Sequence, residues 1–250
     1  MYGLGLALWF TGFLGHFERN PGEVERVASD LIELSTRQNF ASWLAGGEVL
    51  RGWARCALGD TAEGISWMLG GIDDWRATGS MLCVPYFLAL KAEALYLADR
   101  TSEALKAIWE AEALTEEREE RWWSAELHRL RGVFLTAMGA EETQIEASFC
   151  AAITTAKQQK SVSAEKLAEA TYVEYRRQKA TTPGGVDSDY LFGNFLLHAG
   201  FRPTPRPRTS LPVSVELRDS SKARHLTSQV PAVARLNSTF CRFLCFQSGS

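Results

Sequence analysis

The sequence predicts an all-α fold, in which about four and a half helical hairpins stack into a solenoid followed by an irregular C-terminal tail. Small residues recur every 40 positions, and mostly apolar residues follow each of them at helical spacing. A cluster of proline and glycine ends this pattern near residue 180 of the 250-residue chain. Because one hairpin cannot bury its apolar stripe alone, neighbouring hairpins must stack. We therefore expect a helical repeat domain over residues 1–180 and a tail over residues 181–250.

Four aligned sets of residues carry the repeat. The small residues of the first helices are Gly12, Gly52, Ala92 and Gly132. A set in the second helices lies 12 or 13 residues later, at Val24, Gly64, Ala104 and Ile145. Two more sets follow after four and then three residues, at Ala28, Met68, Ile108 and Phe149 and at Leu31, Gly71, Ala111 and Ala152. Steps of four and three keep these sets on one helix face, where they can fill the contact that the small residue opens.

Helix boundaries follow from the same pattern. We predict helices over residues 3–17, 22–38, 42–58, 61–78, 83–98, 101–117, 122–138, 142–159 and 163–179. Gly59 and Gly139 stand where a first helix should end in a left-handed conformation, and Pro21 suits a first helical turn. The apolar run over residues 4–14 has no preceding Lys or Arg and no cleavage site after it. It therefore predicts a buried helix and not a signal peptide.

These spacings resemble the tetratricopeptide repeat (TPR), a helical hairpin with small residues at fixed positions. The usual TPR period is about 34 residues, so the hairpins of this chain are longer. A TPR normally has leucine just before the small residue, whereas this chain has Arg51, Lys91 and Arg131 there. The resemblance implies that the α-α solenoid is right-handed.

A second resemblance covers roughly residues 35–180. It rests on the blocks Phe40-Ala-Ser-Trp43, Leu50-Arg-Gly-Trp-Ala54, Glu63-Gly-Ile65, Tyr86-Phe-Leu-Ala89 and Glu120-Arg-Trp-Trp-Ser-Ala-Glu-Leu-His-Arg-Leu-Arg-Gly132. These blocks resemble the C-terminal repeats of large bacterial signalling proteins, in which a nucleotide cyclase or DNA-binding output domain precedes a P-loop ATPase and then the repeats. The resemblance implies a cytoplasmic regulatory segment, with any catalysis in domains outside this chain.

Charge and motifs argue against several kinds of site. Residues 1–180 hold 19 Lys and Arg against 26 Asp and Glu, and the whole chain has a net charge of −3. Such an acidic body lacks the clustered positive surface that nucleic acids need. The five cysteines form no C-x-x-C pair, which favours reduced thiols over a zinc site. No phosphate loop, nucleophile elbow or H-E-x-x-H motif is present, so we predict no catalytic, cofactor-binding or metal-binding residue and no membrane partner.

The TPR resemblance also implies where a partner would bind. In TPR arrays, the first helix of each hairpin lines the concave face at positions three before, one after and four after the small residue. The corresponding positions are Val49, Trp53, Cys56, Ala89, Glu93, Tyr96, Arg129, Val133 and Thr136. An extended peptide or a helix would fit this mixed surface. Arg51, Lys91 and Arg131 form a candidate basic ladder beside it that would favour an acidic partner, or they simply keep the helices solvated.

Several single features receive a structural interpretation. Trp43, Trp75 and Trp109 are expected in hairpin cores, His128 is expected to be partly exposed, and residues 116–121 are expected to be a solvated helix end. Beyond residue 180, residues 189–198 are a candidate capping helix and the rest is expected to be flexible. Residues 210–217 are a candidate strand, and residues 240–246 an isolated apolar patch. A shifted reading frame or gene decay would also explain the abrupt change in pattern.

The sequence leaves three hypotheses for the function of the chain. The leading hypothesis is a non-catalytic scaffold for a protein or peptide partner, regulatory in a signalling assembly, with an ATPase or cyclase module in cis or in trans. The alternative is a small-molecule sensor, because similar solenoids in transcriptional activators hold an inducer in their groove. An enzyme is the third hypothesis, and the missing motifs argue against it.

Overall fold

A computed structural model describes residues 2–181 and 185–197 of the chain. This part contains ten α-helices and no strand. In chain order they are α1 (Tyr2–Phe17), α2 (Pro21–Gln38), α3 (Ala41–Ala57), α4 (Thr61–Ala77), α5 (Val84–Leu97), α6 (Thr101–Arg118), α7 (Ser124–Ala137), α8 (Glu142–Gln158), α9 (Val162–Thr181) and α10 (Ser188–Leu197). The nine helices predicted from the pattern are confirmed, with ends that differ by one or two residues. The candidate strand, the apolar patch and the rest of the tail after residue 197 lie outside the described residues.

Consecutive helices pack as hairpins that stack along the chain. The pairs are α1 with α2, α3 with α4, α5 with α6 and α7 with α8, and α9 follows as a further helix. Each second helix also contacts the next first helix, and first helices touch one another where α1 meets α3, α3 meets α5 and α7 meets α9. This consecutive packing confirms the predicted all-α architecture of stacked hairpins. The division of the chain near residue 180 stays a prediction.

The small residues lie where two helices of a hairpin come closest. A Cβ atom added to Gly52 would lie 2.5 Å from the Gly64 carbonyl oxygen, and one added to Gly64 would lie 2.5 Å from the Gly52 carbonyl oxygen. Met68 packs against Gly52, and a Cβ on Gly132 would lie 2.6 Å from the Phe149 ring. The predicted contact between the small residue and the second helix is therefore confirmed in these two hairpins.

Residues with positive φ angles end the helices every 40 residues, except for a last step of 41 residues from Glu119 to Lys160. The first helices end near Arg19, Gly59, Asp99 and Gly139, whose φ angles are 53°, 108°, 60° and 65°. The second helices end near Asn39, Gly79, Glu119 and Lys160, with φ angles of 54°, 79°, 57° and 53°. The predicted caps at Gly59 and Gly139 are confirmed, and Pro21 opens α2 as expected. At five of these eight positions a residue other than glycine adopts a conformation that glycine would adopt without steric cost.

The burial predicted for one of three tryptophans is wrong. Trp43 and Trp75 are buried as predicted, whereas Trp109 on α6 is 51% exposed. Helix α1 is buried on one side only, since Trp9 and His16 lie in the interior while Leu4 and Leu14 are exposed. Helix α10 is present at the candidate capping position and packs on α7 and α9. Among the described residues, no helix combines the length and the apolar character needed to cross a membrane.

Candidate functional site: a buried charge cluster on the inner face

Side chains from four first helices and one turn meet in the interior of the array. We call this group the inner cluster, and every member is buried. It consists of His16, Arg19, Trp53, Tyr86, Glu93, Glu126 and Arg129. Its members come from the first, second, third and fourth hairpins, so the cluster joins parts of the chain that are far apart in sequence.

The Glu93 carboxylate is the centre of the inner cluster. Arg19 donates a hydrogen bond to its Oε2 atom, and the Trp53 indole N–H donates to the same oxygen at 2.9 Å. The His16 Nε2 atom lies 3.6 Å from the other oxygen, Oε1. Burial alone would raise the pKa of Glu93, but Arg19 and His16 outweigh it and hold this pKa well below its ordinary value. Glu93 is therefore ionised and paired at neutral pH.

A second ion pair extends the inner cluster into α7. Arg129 donates two hydrogen bonds to the Glu126 carboxylate, at 2.8 Å from Nε and 2.7 Å from Nη2. The Arg19 Nη2 atom donates to the same carboxylate at 3.4 Å. Two guanidinium groups thus face two carboxylates, and their formal charges cancel. Buried charges are tolerated when they are paired with good geometry, as they are here.

A phenol and an imidazole complete the inner cluster. The Tyr86 hydroxyl lies 3.0 Å from His16 Nδ1, which places His16 between a phenol and the Glu93 carboxylate. Burial lowers the pKa of His16 and the nearby Arg19 lowers it further, so the ring is neutral at neutral pH. Burial raises the pKa of Tyr86 well above its ordinary value. An activated tyrosine needs a pKa shift in the opposite direction, so this arrangement favours a structural role.

Aromatic rings close the inner face between the first and fourth hairpins. The His16 ring meets the Trp53 ring edge-on at 4.6 Å between centroids. On the outer side, Phe17 contacts Trp123 at 5.0 Å and Phe13 contacts Trp122 at 5.4 Å. We call Phe13, Phe17 and Trp122 the aromatic edge, because they are only partly covered while the inner cluster lies beneath them. The array therefore curves enough for α1 to touch the residues that precede α7.

The nine predicted partner-binding positions do not form one open surface. Eight of them are buried, and Thr136 is half-buried. Trp53, Glu93 and Arg129 belong to the inner cluster, whereas the Tyr96 hydroxyl lies 2.7 Å from Asp189 Oδ1 of α10. Ala89 and Val133 lie in the core. The partner-binding role of these positions stays a prediction.

Val49 and Cys56 face α4 and not a groove. A Cβ on Gly71 would lie 2.9 Å from Val49 Cγ2, and the Cys56 thiol lies against Gly64. The physical reason is helix geometry: residues three before and four after Gly52 share its helix face, and that face packs on α4. Only the position one residue after it, Trp53, turns toward the inner cluster.

Sequence reasoning missed four members of the inner cluster: His16, Arg19, Tyr86 and Glu126. One of them had a readable signal. Arg19 stands at the repeat position that Gly59 and Gly139 occupy, where the backbone is left-handed. A charged residue in a position that favours glycine is only a weak signal, because the exposed Asp99 occupies the equivalent position of the third hairpin. The other three carried no such signal.

The candidate basic ladder is largely used within the array. Arg51 lies 3.3 Å from Glu25 of α2, and Arg131 lies 2.7 Å from Glu112 of α6. Each of these arginines thus links a first helix to the preceding second helix. Lys91 is half-buried. His128 is half-buried as predicted, with Nδ1 at 2.9 Å from the Glu112 carboxylate. Docking of an acidic partner on the ladder stays a prediction.

Comparisons with known proteins show no family for this chain. A search found no protein-family model that matches the chain. No solved structure matches it either. The chain is similar to an uncharacterized protein of Rhizobium meliloti strain 1021, with 26% identity over 143 residues that cover 57% of this chain and 14% of that protein. The chain thus spans only a small part of the length of this relative.

In the described residues, no group of three or more His, Cys, Asp or Glu side chains could hold a metal ion.

A separate buried carboxyl group links two turns. The run over residues 116–121 was predicted to be solvated, which is wrong for Glu120, because this side chain is buried. The Glu120 carboxylate accepts hydrogen bonds from the Cys83 backbone N–H at 2.9 Å and from the Trp122 indole N–H at 3.0 Å. Burial raises the pKa of Glu120 to about 7, although both hydrogen bonds lower it. The turn before α5 and the turn before α7 are therefore joined through a group that titrates near neutral pH.

Glu120 predicts a pH-dependent stability. The pKa of this carboxyl group is higher in the folded than in the unfolded protein. Its contribution to the free energy of unfolding is therefore largest below the unfolded pKa, and it is lost as the pH rises through the folded pKa of about 7. Glu120→Gln keeps the acceptor oxygen but does not titrate. Relative to the native chain, the variant should gain about 1–3 kcal/mol in unfolding free energy between about pH 5 and pH 8.

Urea denaturation at several pH values measures this difference. Glu117→Gln, at an exposed position of the same run, is the matched control and should show no such change. Equal pH dependence of both variants would contradict the assignment to Glu120.

Proposed function

We propose that the chain is a non-catalytic scaffold for protein–protein interaction, built as a right-handed, TPR-like solenoid. The inner cluster is the observation that carries this proposal. Its acids and bases are buried and paired with one another, so they hold hairpins together and leave recognition to the surrounding surface. Burial raises the pKa of Tyr86, which disfavours the tyrosinate that nucleophilic activation needs. His16 is buried between Tyr86 and Glu93.

We propose further that this scaffold is a regulatory segment of a bacterial signalling assembly in the cytoplasm. Its partner would be an ATPase or a nucleotide cyclase module, in cis or in trans. Support comes from the sequence blocks over residues 35–180 that resemble such proteins. It also comes from the Rhizobium meliloti relative, in which the matched region makes up 14% of a much longer chain.

The aromatic edge is the surface where we place the partner contact. Phe17 is exposed, and Phe13 and Trp122 are partly exposed. Their rings form a continuous path, with 4.8 Å between the centroids of Phe13 and Phe17 and 5.4 Å between those of Phe13 and Trp122. Aromatic residues are enriched at the energetic centres of protein interfaces. The buried cluster beneath holds these rings in place, which lowers the entropic cost of binding.

Site-specific photo-crosslinking in cells that make the protein tests the proposal. Phe17→p-benzoylphenylalanine should give one discrete adduct whose peptides come from an ATPase or a cyclase. The matched control is the same replacement at Leu69, an exposed apolar residue of α4, which should give none. No adduct at Phe17, or equal adducts at both positions, would contradict a partner site at the aromatic edge.

Three further measurements separate the remaining hypotheses. The intact mass of the native protein distinguishes a partner in trans, with a species near 27.8 kDa, from one in cis on a larger chain. Stabilisation of the purified chain by a sugar or metabolite in a thermal-shift screen would instead support the small-molecule sensor. Substrate turnover by the purified chain would overturn the non-catalytic assignment.

A further inference from the structure

The first helices α3, α5 and α7 each have one face that contacts the preceding hairpin. On α3, this face includes Gly47 and Arg51: a Cβ on Gly47 would lie 2.9 Å from Ile32 of α2, and Arg51 pairs with Glu25 of α2. On α7, the equivalent face includes Arg131, which pairs with Glu112 of α6, and Phe134, which stacks on Tyr96 of α5 at 5.0 Å. The same face of the first helix is thus used at two separate interfaces between hairpins.

Helix α1 presents the same face to solvent. Counting back 40 residues from α3 gives Leu4, Ala7, Thr11 and Leu14, which we call the α1 stripe. All four are exposed, with exposed fractions of 52% for Leu4 and 57% for Leu14. Their counterparts on α3, α5 and α7 are buried or half-buried. Two large apolar side chains of α1 are therefore exposed at positions that are covered on the other first helices.

The composition of the α1 stripe indicates what kind of helix could pack against it. From Tyr2 to Phe17 the helix has no Lys, Arg, Asp or Glu, so the contact would be apolar. Ala7 stands where Gly47 allows α2 to approach closely, and its small side chain also permits a close approach. Thr11 stands where Arg51 and Arg131 bind carboxylates. A carboxylate opposite Thr11 would lose water without gaining a cation.

We propose that the α1 stripe docks the second helix of another helical hairpin, in the register that α2 uses on α3. The partner is an amphipathic helix with apolar residues at a spacing of three and four and an uncharged residue opposite Thr11. It comes from a hairpin other than those described here, because each described second helix already packs on the next first helix, and the same holds in a second copy of this chain. The stripe shares no residue with the aromatic edge, so this proposal goes beyond the proposed function and does not depend on it.

The test uses the full chain and a peptide of known register. The peptide has the sequence of residues 21–38, because α2 packs on α3 in the register at issue. A second peptide carries Glu25→Thr, which removes the carboxylate that would face Thr11. Fluorescence anisotropy should show saturable binding of both labelled peptides, and the Glu25→Thr peptide should bind more tightly by about fivefold or more, a difference of about 1 kcal/mol.

Matched variants of the chain locate the binding surface. Leu4→Glu with Leu14→Glu should weaken binding by about tenfold or more. Val162→Glu with Val173→Glu, at two exposed apolar positions of α9, should leave it unchanged. Thermal melts check that both variants stay folded. The proposal is overturned if neither peptide binds, or if the peptide with Glu25 binds more tightly. It is also overturned if the α1 substitutions leave binding unchanged, because the peptide would then be replacing the native α2 on α3.

Sedimentation of the unmodified chain alone gives the last arm of the test. A monomer is expected, because the proposed partner helix is not supplied by a second copy. A dimer that Leu14→Glu dissociates would show that two α1 stripes pair with each other, and it would overturn the proposed partner.

Discussion

Glu93→Ala is expected to lower the free energy of unfolding by about 3–5 kcal/mol, because it removes one partner from a buried ion pair. The substitution takes away the acceptor of the hydrogen bonds from Arg19 and from the Trp53 indole N–H. The buried Arg19 guanidinium then keeps its longer contact with Glu126, at 3.4 Å from Nη2. Urea denaturation of the full chain at neutral pH, followed by far-UV circular dichroism, measures the change.

An exposed ion pair of the same type supplies the control. Glu110→Ala breaks the pair between Arg76 and Glu110, which is 2.8 Å long but lies on the surface, and it should cost at most about 1 kcal/mol. Arg19→Leu combined with Glu93→Leu removes both buried charges at once and should recover about half or more of the loss, since buried pairs often only offset their own desolvation. If Glu93→Ala costs no more than Glu110→Ala, the inner cluster does not hold the hairpins together.

The fold could be predicted because each hairpin repeats the same local requirements. Gly52 and Gly132 let two helices approach, and Gly59 and Gly139 end the first helices. All of these signals lie within one hairpin and recur with one period, so the sequence reports them directly. Trp109 shows where this reasoning ends. Its helix was predicted correctly, but the rotation of α6 that exposes it depends on how this helix packs on α5 and α7.

The inner cluster could not be predicted for a related reason. Glu93 and Arg129 were assigned to the inner face from the repeat register. The contact between Arg19 and Glu126 spans 107 residues and joins the first hairpin to the fourth. Such a contact depends on the curvature of the whole array, which sums small rotations between hairpins. Aligned repeats show which positions are equivalent, but they do not show which equivalent positions from distant hairpins meet.

The same curvature explains why the predicted groove is closed. In an open array, Trp53, Glu93 and Arg129 would line a surface that a peptide could reach. Here the end of α1 brings His16 and Arg19 against them, and the aromatic edge covers what remains. The side chains that a peptide would have bound are hydrogen-bonded within the chain. Both proposals therefore place recognition at surfaces on the edge and at the end of the array.

Two glycines of α4 should respond to the same substitution with opposite signs. Gly64→Ala is expected to destabilise the chain by about 2–3 kcal/mol, because overpacking a tight contact forces the backbone to move. Its new Cβ would lie 2.5 Å from the Gly52 carbonyl oxygen and 2.9 Å from the Cys56 backbone nitrogen. Gly70→Ala should stabilise the chain by about 0.5–1 kcal/mol, since Gly70 is exposed, helical and free of neighbours within 4 Å.

Urea midpoints and slopes of the two variants, measured side by side, test the closeness of α3 and α4. Because both changes add one methyl group to the same helix, helix propensity contributes equally to each. The difference between them, about 3 kcal/mol or more, then reports the steric contact at Gly64 alone. Two variants of equal stability would mean that α3 and α4 lie further apart than the Gly52–Gly64 contact requires. Close helix approach would then not explain why small residues recur every 40 positions.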